Sequence, residues 1–335
     1  MTIKTIREVL AETIAAEMRT DPDVFLMGED VSGGAGCDGE DDAFGGAFGQ
    51  YKGLVKEFGR ERIIDTPITE SAFIGAAGGA AATGMRPIVD LMFVDFIGVC
   101  FDQIFNQMAK FRYMFGGKSQ APLVILAMVG AGWRAGAQHS QMLHPMLTAV
   151  PGLKVVMPSN AYDVKGLLTT AIRDNDPVMF LQHKLLFEHS CEVPDEPYSI
   201  PFGEAAYTRQ GKDVTIVALS AMVHKANAVA DKLAKQGITA EVIDPRTTSP
   251  LDEEAILESV EVTGRLVVVD EANGRCSMAT DISSLVAERG FSSLRSPIIK
   301  VTAPHTPVPF APGLEDLYIP DEADIEAAVM KVMNS

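Results

Sequence analysis

The 335-residue chain has only four cysteines, Cys37, Cys100, Cys191 and Cys276, and no two of them form a C-x-x-C pair. That scarcity removes the spacing that a zinc site or a redox-active dithiol needs, and it fits reduced thiols in a cytoplasmic protein. Positive charge is scarce as well: 28 Lys and Arg stand against 45 Asp and Glu, a formal net charge of −17. Such a surface repels phosphate backbones and anionic lipid heads, which argues against nucleic-acid and membrane partners but leaves room for a basic protein partner. Residues 1–19 lack the unbroken apolar run of a signal peptide, and stretches such as Pro122–Val129 are too short to span a bilayer. Neither G-x-x-x-x-G-K-[ST] nor G-x-S-x-G occurs, so a P-loop is excluded and a hydrolase nucleophile elbow has no support. The turn Gly130–Gly136 follows a strand-like run, but its third glycine falls one place late for a dinucleotide fingerprint.

What remains is an ordinary globular composition, 47% hydrophobic and 22% charged. The length suggests two domains, at ~100–200 residues each. Thr5-Ile6-Arg7-Glu8 reads as a capping box, and Ile6, Leu10, Ile14 and Met18 continue it as one apolar stripe ended by Asp21-Pro22. Strand-like runs at 24–27, 87–93, 123–129 and 178–181 alternate with helical patterns at 69–84, 99–114 and 162–172, which predicts parallel strands with crossover helices. Between them, Gly33–Gly49 holds seven glycines and the acid cluster Glu40-Asp41-Asp42 and reads as a long loop. Glu192–Pro201 breaks into Pro, Asp and Glu, and a second α/β alternation follows, with strands near 214–219, 240–243, 266–269 and 298–301. The helices of this half read as 222–236, from about 252, and 277–289; no sequence repeat relates the two halves.

Two residues invite a chemical reading. Glu70 opens a helix whose Ala72, Ala76 and Ala80, and Gly75 and Gly79, lie four apart, a nearly bare face that another backbone could approach. A carboxyl desolvated in that way exchanges a proton with a weak base, whereas the plainer reading is a carboxylate favoured by the helix N-terminus. His139, in Gln138-His139-Ser140-Gln141, follows the glycine turn and reads either as a solvated loop histidine or as a proton carrier.

Several segments resemble one family across essentially the whole chain. They are Gly28-Glu29-Asp30, Asp65-Thr66-Pro67-Ile68-Thr69-Glu70, Met92-Phe93-Val94-Asp95-Phe96, Gln138–Gln141, Ala171-Ile172-Arg173-Asp174-Asn175-Asp176 and Asp244-Pro245-Arg246-Thr247. Together they resemble the beta subunit of the thiamine-diphosphate-dependent first component of 2-oxo acid dehydrogenase complexes. Within that family the Gly33–Gly49 loop, the run ending Phe115-Gly116-Gly117 and the tail Thr302–Pro307 resemble the acetoin dehydrogenase branch.

The resemblance implies an α/β chain of two three-layer domains: a pyrimidine-binding domain over 1–190, a linker over 191–205 and a transketolase C-terminal-like domain over 206–335. It implies that Glu70 hydrogen-bonds N1′ of the cofactor's aminopyrimidine, that Phe96 stacks on that ring with Ile68 beside it, and that Glu29 lies on a proton path between two active sites. It further implies that His139 assists acyl transfer to lipoyl sulfur, and that Leu123, Ala171, Ile172, Asp174 and Asp176 surround a structural potassium ion. The helix opened by Glu70 would lie at a subunit interface. The G-D-G motif that holds the cofactor's diphosphate and Mg²⁺ in this family is missing. An alpha subunit is therefore implied as the holder of that half, in an α2β2 assembly with a second beta subunit. The implied partners beyond it are the dihydrolipoyl acyltransferase and its lipoyl domain. Asp252-Glu253-Glu254 and Asp321–Asp324 are candidate acidic contacts for it, against the plainer reading of solvated helix starts. Acetoin, pyruvate or another 2-oxo acid remain open as substrate, and a docking subunit without catalytic residues is the alternative of a different class.

Overall fold

The computed structural model describes residues 1–33 and 45–335. Cys37, Glu40-Asp41-Asp42 and most of the Gly33–Gly49 segment lie outside the described residues. The chain divides into two compact units: 1–129, 146–182 and 186–201 form the first, and 130–145, 183–185 and 202–335 the second.

In chain order the first part of the molecule comprises β1 (Thr2–Thr5), α1 (Ile6–Thr20), β2 (Val24–Gly28), α2 (Leu54–Phe58), β3 (Ile63–Asp65), α3 (Glu70–Ala82) and β4 (Arg86–Phe93). Then come α4 (Ile97–Asp102), α5 (Ala109–Met114), β5 (Val124–Val129), α6 (His144–Thr148), β6 (Lys154–Val156), α7 (Ala161–Arg173), β7 (Val178–His183) and β8 (Ser190–Val193). The predicted capping box is present, with the Thr5 side chain accepting from the Glu8 amide and Glu8 reaching back to the Thr5 amide. The sheet of this unit runs β6-β7-β5-β4-β2-β3. β2 pairs in parallel with β3 and β4, β4 with β5, and β6 with β7. β2 and β5 are buried along their whole length, as strands covered on both faces must be. α1 packs with α7, and α3 with α4, forming the two helical layers.

The stretch expected as one amphipathic helix over 99–114 is interrupted. Cys100 leaves helical φ/ψ and residues Gln103–Met108 take a π-helical turn between α4 and α5. The expected linker also differs in part. Residues 190–193 form β8, antiparallel to β1, and so tie 190–201 to the first unit. Their Pro and Asp content hid a strand whose partner lies nearly two hundred residues away, which local pattern cannot reveal.

The second unit adds β9 (Ala206–Arg209), β10 (Val214–Ala218), α8 (Met222–Ala234), β11 (Ala240–Asp244), β12 (Thr247–Ser249), α9 (Glu253–Thr263) and β13 (Leu266–Asn273). It closes with α10 (Met278–Arg289), β14 (Ile299–Ala303), α11 (Pro312–Tyr318) and α12 (Glu322–Met333). Its sheet order is β14-β13-β10-β11-β9, parallel except for the antiparallel edge strand β9. α8 packs with α12, and α9 with α10, again two helical layers about one sheet. Asp252 and Asp321 are the N-caps of α9 and α12, and Glu253 and Glu254 pair with Arg289. Both acidic clusters therefore begin helices. Among the described residues, no helix is long and apolar enough to cross a membrane.

Gly28 ends β2 where a side chain has no room: a Cβ there would lie 2.8 Å from the Asp90 carbonyl oxygen and 2.9 Å from the Asp90 Cβ. Both contacts are to the fixed neighbouring strand, so Gly28→Ala should destabilise the chain by about 1–3 kcal/mol. Thermal denaturation checks this; an unchanged melting temperature would show that β2 and β4 separate freely.

Candidate active site

Three adjacent parallel strands stand in register here: β2 and β3 end level with one another, and β4 runs on three residues further, to Phe93. Gly28 pairs with Asp65 of β3 on one side and with Asp90 of β4 on the other. The chain leaves β2 into Glu29, β3 into Ile68 and Glu70, and β4 into Phe96. The carboxyl edge of such a sheet is where α/β proteins place ligands. Asp65 braces the neighbouring loop: its oxygens accept from the Ser32 amide at 2.7 Å and the Ser32 hydroxyl at 2.5 Å. Thr66 donates its amide to the Gly28 carbonyl at 2.9 Å. The Asp65–Glu70 segment is thus stitched to β2 before α3 begins.

Glu70 is the first residue of α3 and is half-buried. Glu29 is also half-buried, but its Oε1 is fully enclosed without a hydrogen-bond partner among the described residues. Burial, then the charges of Glu70 and Asp30, push the Glu29 carboxyl above its usual range. The Cys100 thiol is pushed up to about 12, by burial first and by the charge of Glu70 second, so it is an inert group beside the same carboxylate. Phe96 closes a 3₁₀ turn after β4, and its ring meets Phe93 edge-on at 5.7 Å. Ile68 is 80% exposed. A carboxyl able to bond a ring nitrogen, an aromatic ring, an apolar side chain and an enclosed, unsatisfied carboxyl oxygen thus stand along one sheet edge. This donor set suits a nitrogen heterocycle.

The bare face of α3 is largely uncovered within this chain. The close approach within this chain is at Gly78, where a Cβ would lie 2.8 Å from the Met108 sulfur. Ala72, Ala76 and Gly79 are exposed, and a Cβ on Gly79 would meet nothing within 4 Å. Among the described residues, no backbone occupies the face that the spacing singled out.

Asp90 went unnoticed in the sequence, although a carboxylate inside the run Pro87–Phe93 is itself a signal. It is buried, accepts from the Met92 amide at 2.9 Å and from the Gln50 side chain at 3.2 Å, and lies against the Tyr51 hydroxyl. The two-residue turn puts Met92 at φ 66° and shifts the β4–β5 register between Asp90 and Phe93. That offset turns the chain toward Phe96.

Of the residues named for the potassium site, Ile172, Asp174 and Asp176 are contacted by cationic side chains. Arg86 donates to the Ile172 carbonyl at 3.1 Å, the Asp174 carbonyl at 2.9 Å and the Asn175 side chain at 2.8 Å. Lys154 holds both Asp174 carboxylate oxygens at 2.7 and 2.6 Å, and Arg112 pairs with Asp176. The carboxylates are engaged by cationic side chains, so an ion here would rely on backbone carbonyls, each with a second lone pair.

His139 belongs to the second unit and is half-buried. Its amide donates to the Gly136 carbonyl at 3.3 Å, and its own carbonyl accepts from Lys184, whose side chain is buried. Two further histidines, neither anticipated, face β13. His183 Nε2 lies 2.8 Å from Glu271 Oε2 while its Nδ1 accepts the Leu185 amide at 3.3 Å, which fixes Nε2 as the protonated nitrogen. His144 Nε2 lies 3.3 Å from Asp270 Oδ1 with both residues fully buried. Burial pushes the Glu271 and Asp270 carboxyls up, but the facing histidines and backbone amides outweigh it and hold both below the usual range. Beside these residues a cavity of about 280 Å³ is lined by Gln141, Met142, Asn273, His305, Val308 and Tyr318, which gives His305 its place. The glycine turn runs on into further turns rather than a helix, so no helix N-terminus awaits a dinucleotide phosphate.

The family model described as "Transketolase, pyrimidine binding domain" matches residues 3–189, and that described as "Transketolase, C-terminal domain" matches 203–325. The chain is 61% identical over 329 residues to "Acetoin:2,6-dichlorophenolindophenol oxidoreductase subunit beta" of Cupriavidus necator, covering 98% of this chain and 97% of the relative. It is 53% identical over 331 residues to the Bacillus subtilis protein of the same description, with 98% and 97% covered. To "Pyruvate dehydrogenase E1 component subunit beta" of Rickettsia felis it is 44% identical over 328 residues, covering 98% of each. A solved structure described as "Split gene transketolase, inactive beta4 tetramer" superposes with a TM-score of 0.78 at 23% identity, covering 98% of both chains, a likeness of fold.

Burial raises the Asp90 carboxyl to about 7, the dominant cause, with a smaller push from the charge of Glu29. A carboxyl raised on folding binds its proton more tightly in the native state, so the stability it contributes is full at acid pH and lost as pH rises toward 7. Asp90→Asn should flatten that decline in a series of denaturant titrations from pH 4.5 to 8; an unaltered slope would remove Asp90 as its source.

Proposed function

The chain belongs to the family of thiamine-diphosphate-dependent first-component beta subunits built from the transketolase pyrimidine-binding and C-terminal domains, and from that premise we propose that it is the beta subunit of an acetoin-cleaving dehydrogenase. The observation carrying the substrate is near-full-length identity of 61% and 53% to two acetoin oxidoreductase beta subunits, against 44% to a pyruvate dehydrogenase one. The assembly breaks the C–C bond between the acetyl and hydroxyethyl carbons of acetoin and releases acetaldehyde. The acetyl unit passes to a lipoyl group of the acyltransferase component, whose disulfide takes up the two electrons, and leaves the complex as acetyl-CoA.

Thiamine diphosphate, when bound, supplies the electron sink for cleavage beside a carbonyl. From the start of α3, Glu70 would hold the cofactor by a hydrogen bond to ring nitrogen N1′. Phe96 would stack on the aminopyrimidine with Ile68 beside it. Glu29, whose carboxyl burial and the charge of Glu70 push above its usual range, would lie on a proton path between two active sites. His139 assists transfer of the acetyl group to the lipoyl sulfur as a proton carrier near neutral pH. The alpha subunit holds the diphosphate and its Mg²⁺, and two copies of each subunit complete an α2β2 assembly. Backbone carbonyls of Leu123, Ala171, Ile172, Asp174 and Asp176 would hold a potassium ion. The assembly is a cytoplasmic one. Pyruvate as substrate is the second reading, favoured by the 44% relative.

Co-expression with the alpha subunit and dye-coupled assay in the presence of thiamine diphosphate decides between the substrates: acetoin should turn over faster than pyruvate, and the reverse order sinks the acetoin assignment. Glu70→Gln should abolish nearly all turnover while the subunits still assemble; retained turnover favours a docking subunit instead. His139→Ala should lower lipoyl acylation more than dye reduction, and an equal fall in both assays would remove its transfer role.

A further inference from the structure

The turn that carries His139 is held by side chains that no motif drew attention to. Between β5 and His139 the backbone enters the left-handed region four times, at Gly130 (φ 90°), Gly132 (102°), Arg134 (57°) and Gly136 (77°). For Arg134 that conformation costs of order 1–3 kcal/mol and persists only where neighbours over-determine it. The amides of Gly132 and Arg134, which such a path leaves without ladder partners, converge instead on one buried carboxylate. Glu315, in α11, accepts the Gly132 amide on Oε1 at 2.7 Å and the Arg134 amide on Oε2 at 3.0 Å. The Arg134 guanidinium closes the ring, donating to Glu315 Oε2 at 2.8 Å, to the Pro312 carbonyl at 3.0 Å and to Asp316 at 2.6 Å. Glu315 is fully buried. The preceding amide, that of Ala131, goes to Glu271 Oε1 at 2.7 Å. On the far side of the turn, buried Lys184 takes the His139 carbonyl.

Buried charged groups are weak contributors to stability, because desolvation offsets much of their attraction. A fully satisfied buried network instead specifies one geometry. Here the backbone is fixed on both sides of a histidine that itself stays only half-buried. We propose that Glu315 is a positioning residue for His139, holding the 130–136 turn in its left-handed path so that the imidazole is presented in a single orientation. The proposal rests on the reading of His139 as the residue that assists acyl transfer.

The test is a double-mutant cycle in the assembled α2β2 enzyme, with lipoyl acylation and dye reduction measured in parallel. Glu315→Gln keeps the shape but presents one acceptor where two are needed. It should lower kcat for lipoyl acylation roughly tenfold, the scale of a misplaced catalytic group. KM for the lipoyl domain and the dye rate should change less than twofold. In a His139→Ala background the same substitution should have no further effect. Equal loss in both backgrounds, or an equal fall in dye reduction, overturns the proposal while leaving His139 its role. If His139→Ala alone leaves lipoyl acylation unchanged, the reading of His139 fails and the proposal falls with it. Should Glu315→Gln not assemble, Glu315→Asp, which keeps the charge but withdraws it by one methylene, carries the same expectations.

Discussion

The register of β2 between β3 and β4 is the constraint from which the candidate chemistry follows. Gly28 lies opposite Asp65 on one neighbour and Asp90 on the other, so β2 and β3 leave the sheet at one level and β4 leaves it three residues later, after Phe93. Hydrogen-bond ladders admit no fractional shift, and a slip of one residue would turn every side chain to the opposite face. Glu29, Glu70 and Phe96 therefore owe their common edge to backbone pairing rather than to any contact among themselves. The charge of Glu70, felt at Glu29 and at Cys100, reaches them as a consequence of that pairing.

Much of this was legible in the sequence because it is local. The capping box of α1 and the strand–helix alternation are each written within a few residues. The family marks converge on Glu29, Glu70 and Phe96 because motif spacing preserves the level at which strands end. What stayed hidden is long-range. β8 needs β1 as partner, the amides of Gly132 and Arg134 need Glu315 almost two hundred residues later, and His183 needs Glu271. Charged residues embedded in apolar runs, Asp90 in β4 and Asp270-Glu271 in β13, were visible in principle. Periodicity weighs such residues as interruptions, whereas their burial makes them the most committed groups in the strand. The bare face of α3 was legible as a pattern, but the chain by itself does not supply what would approach it.

The two units share a device although no sequence repeat relates them. Asp90 accepts the Met92 amide, Asp244 the Arg246 amide and Asp270 the Ala272 amide, each at 2.9 Å. In each case an aspartate at the end of a parallel strand captures the backbone two residues on, and Met92 and Arg246 are thereby held at positive φ. Where β4 and β13 continue, their registers break just beyond that aspartate. The aspartate interrupts or ends the ladder and aims the chain, and it is replaceable in neither role by a residue without a short-range acceptor.

Gly79 shows what the isolated chain cannot explain about itself. It sits inside a helix, exposed, with nothing within 4 Å of where a side chain would begin. Alanine there would favour the helix by roughly 1 kcal/mol, and nothing among the described residues opposes the exchange. Ranked by the stability of this polypeptide alone, glycine is the wrong residue. A screen that scores heat resistance of the separated subunit would enrich the replacement and discard the parent. The same screen run on an assembly would read a different molecule in the same gene product, and any reversal of rank at Gly79 would report what covers this face.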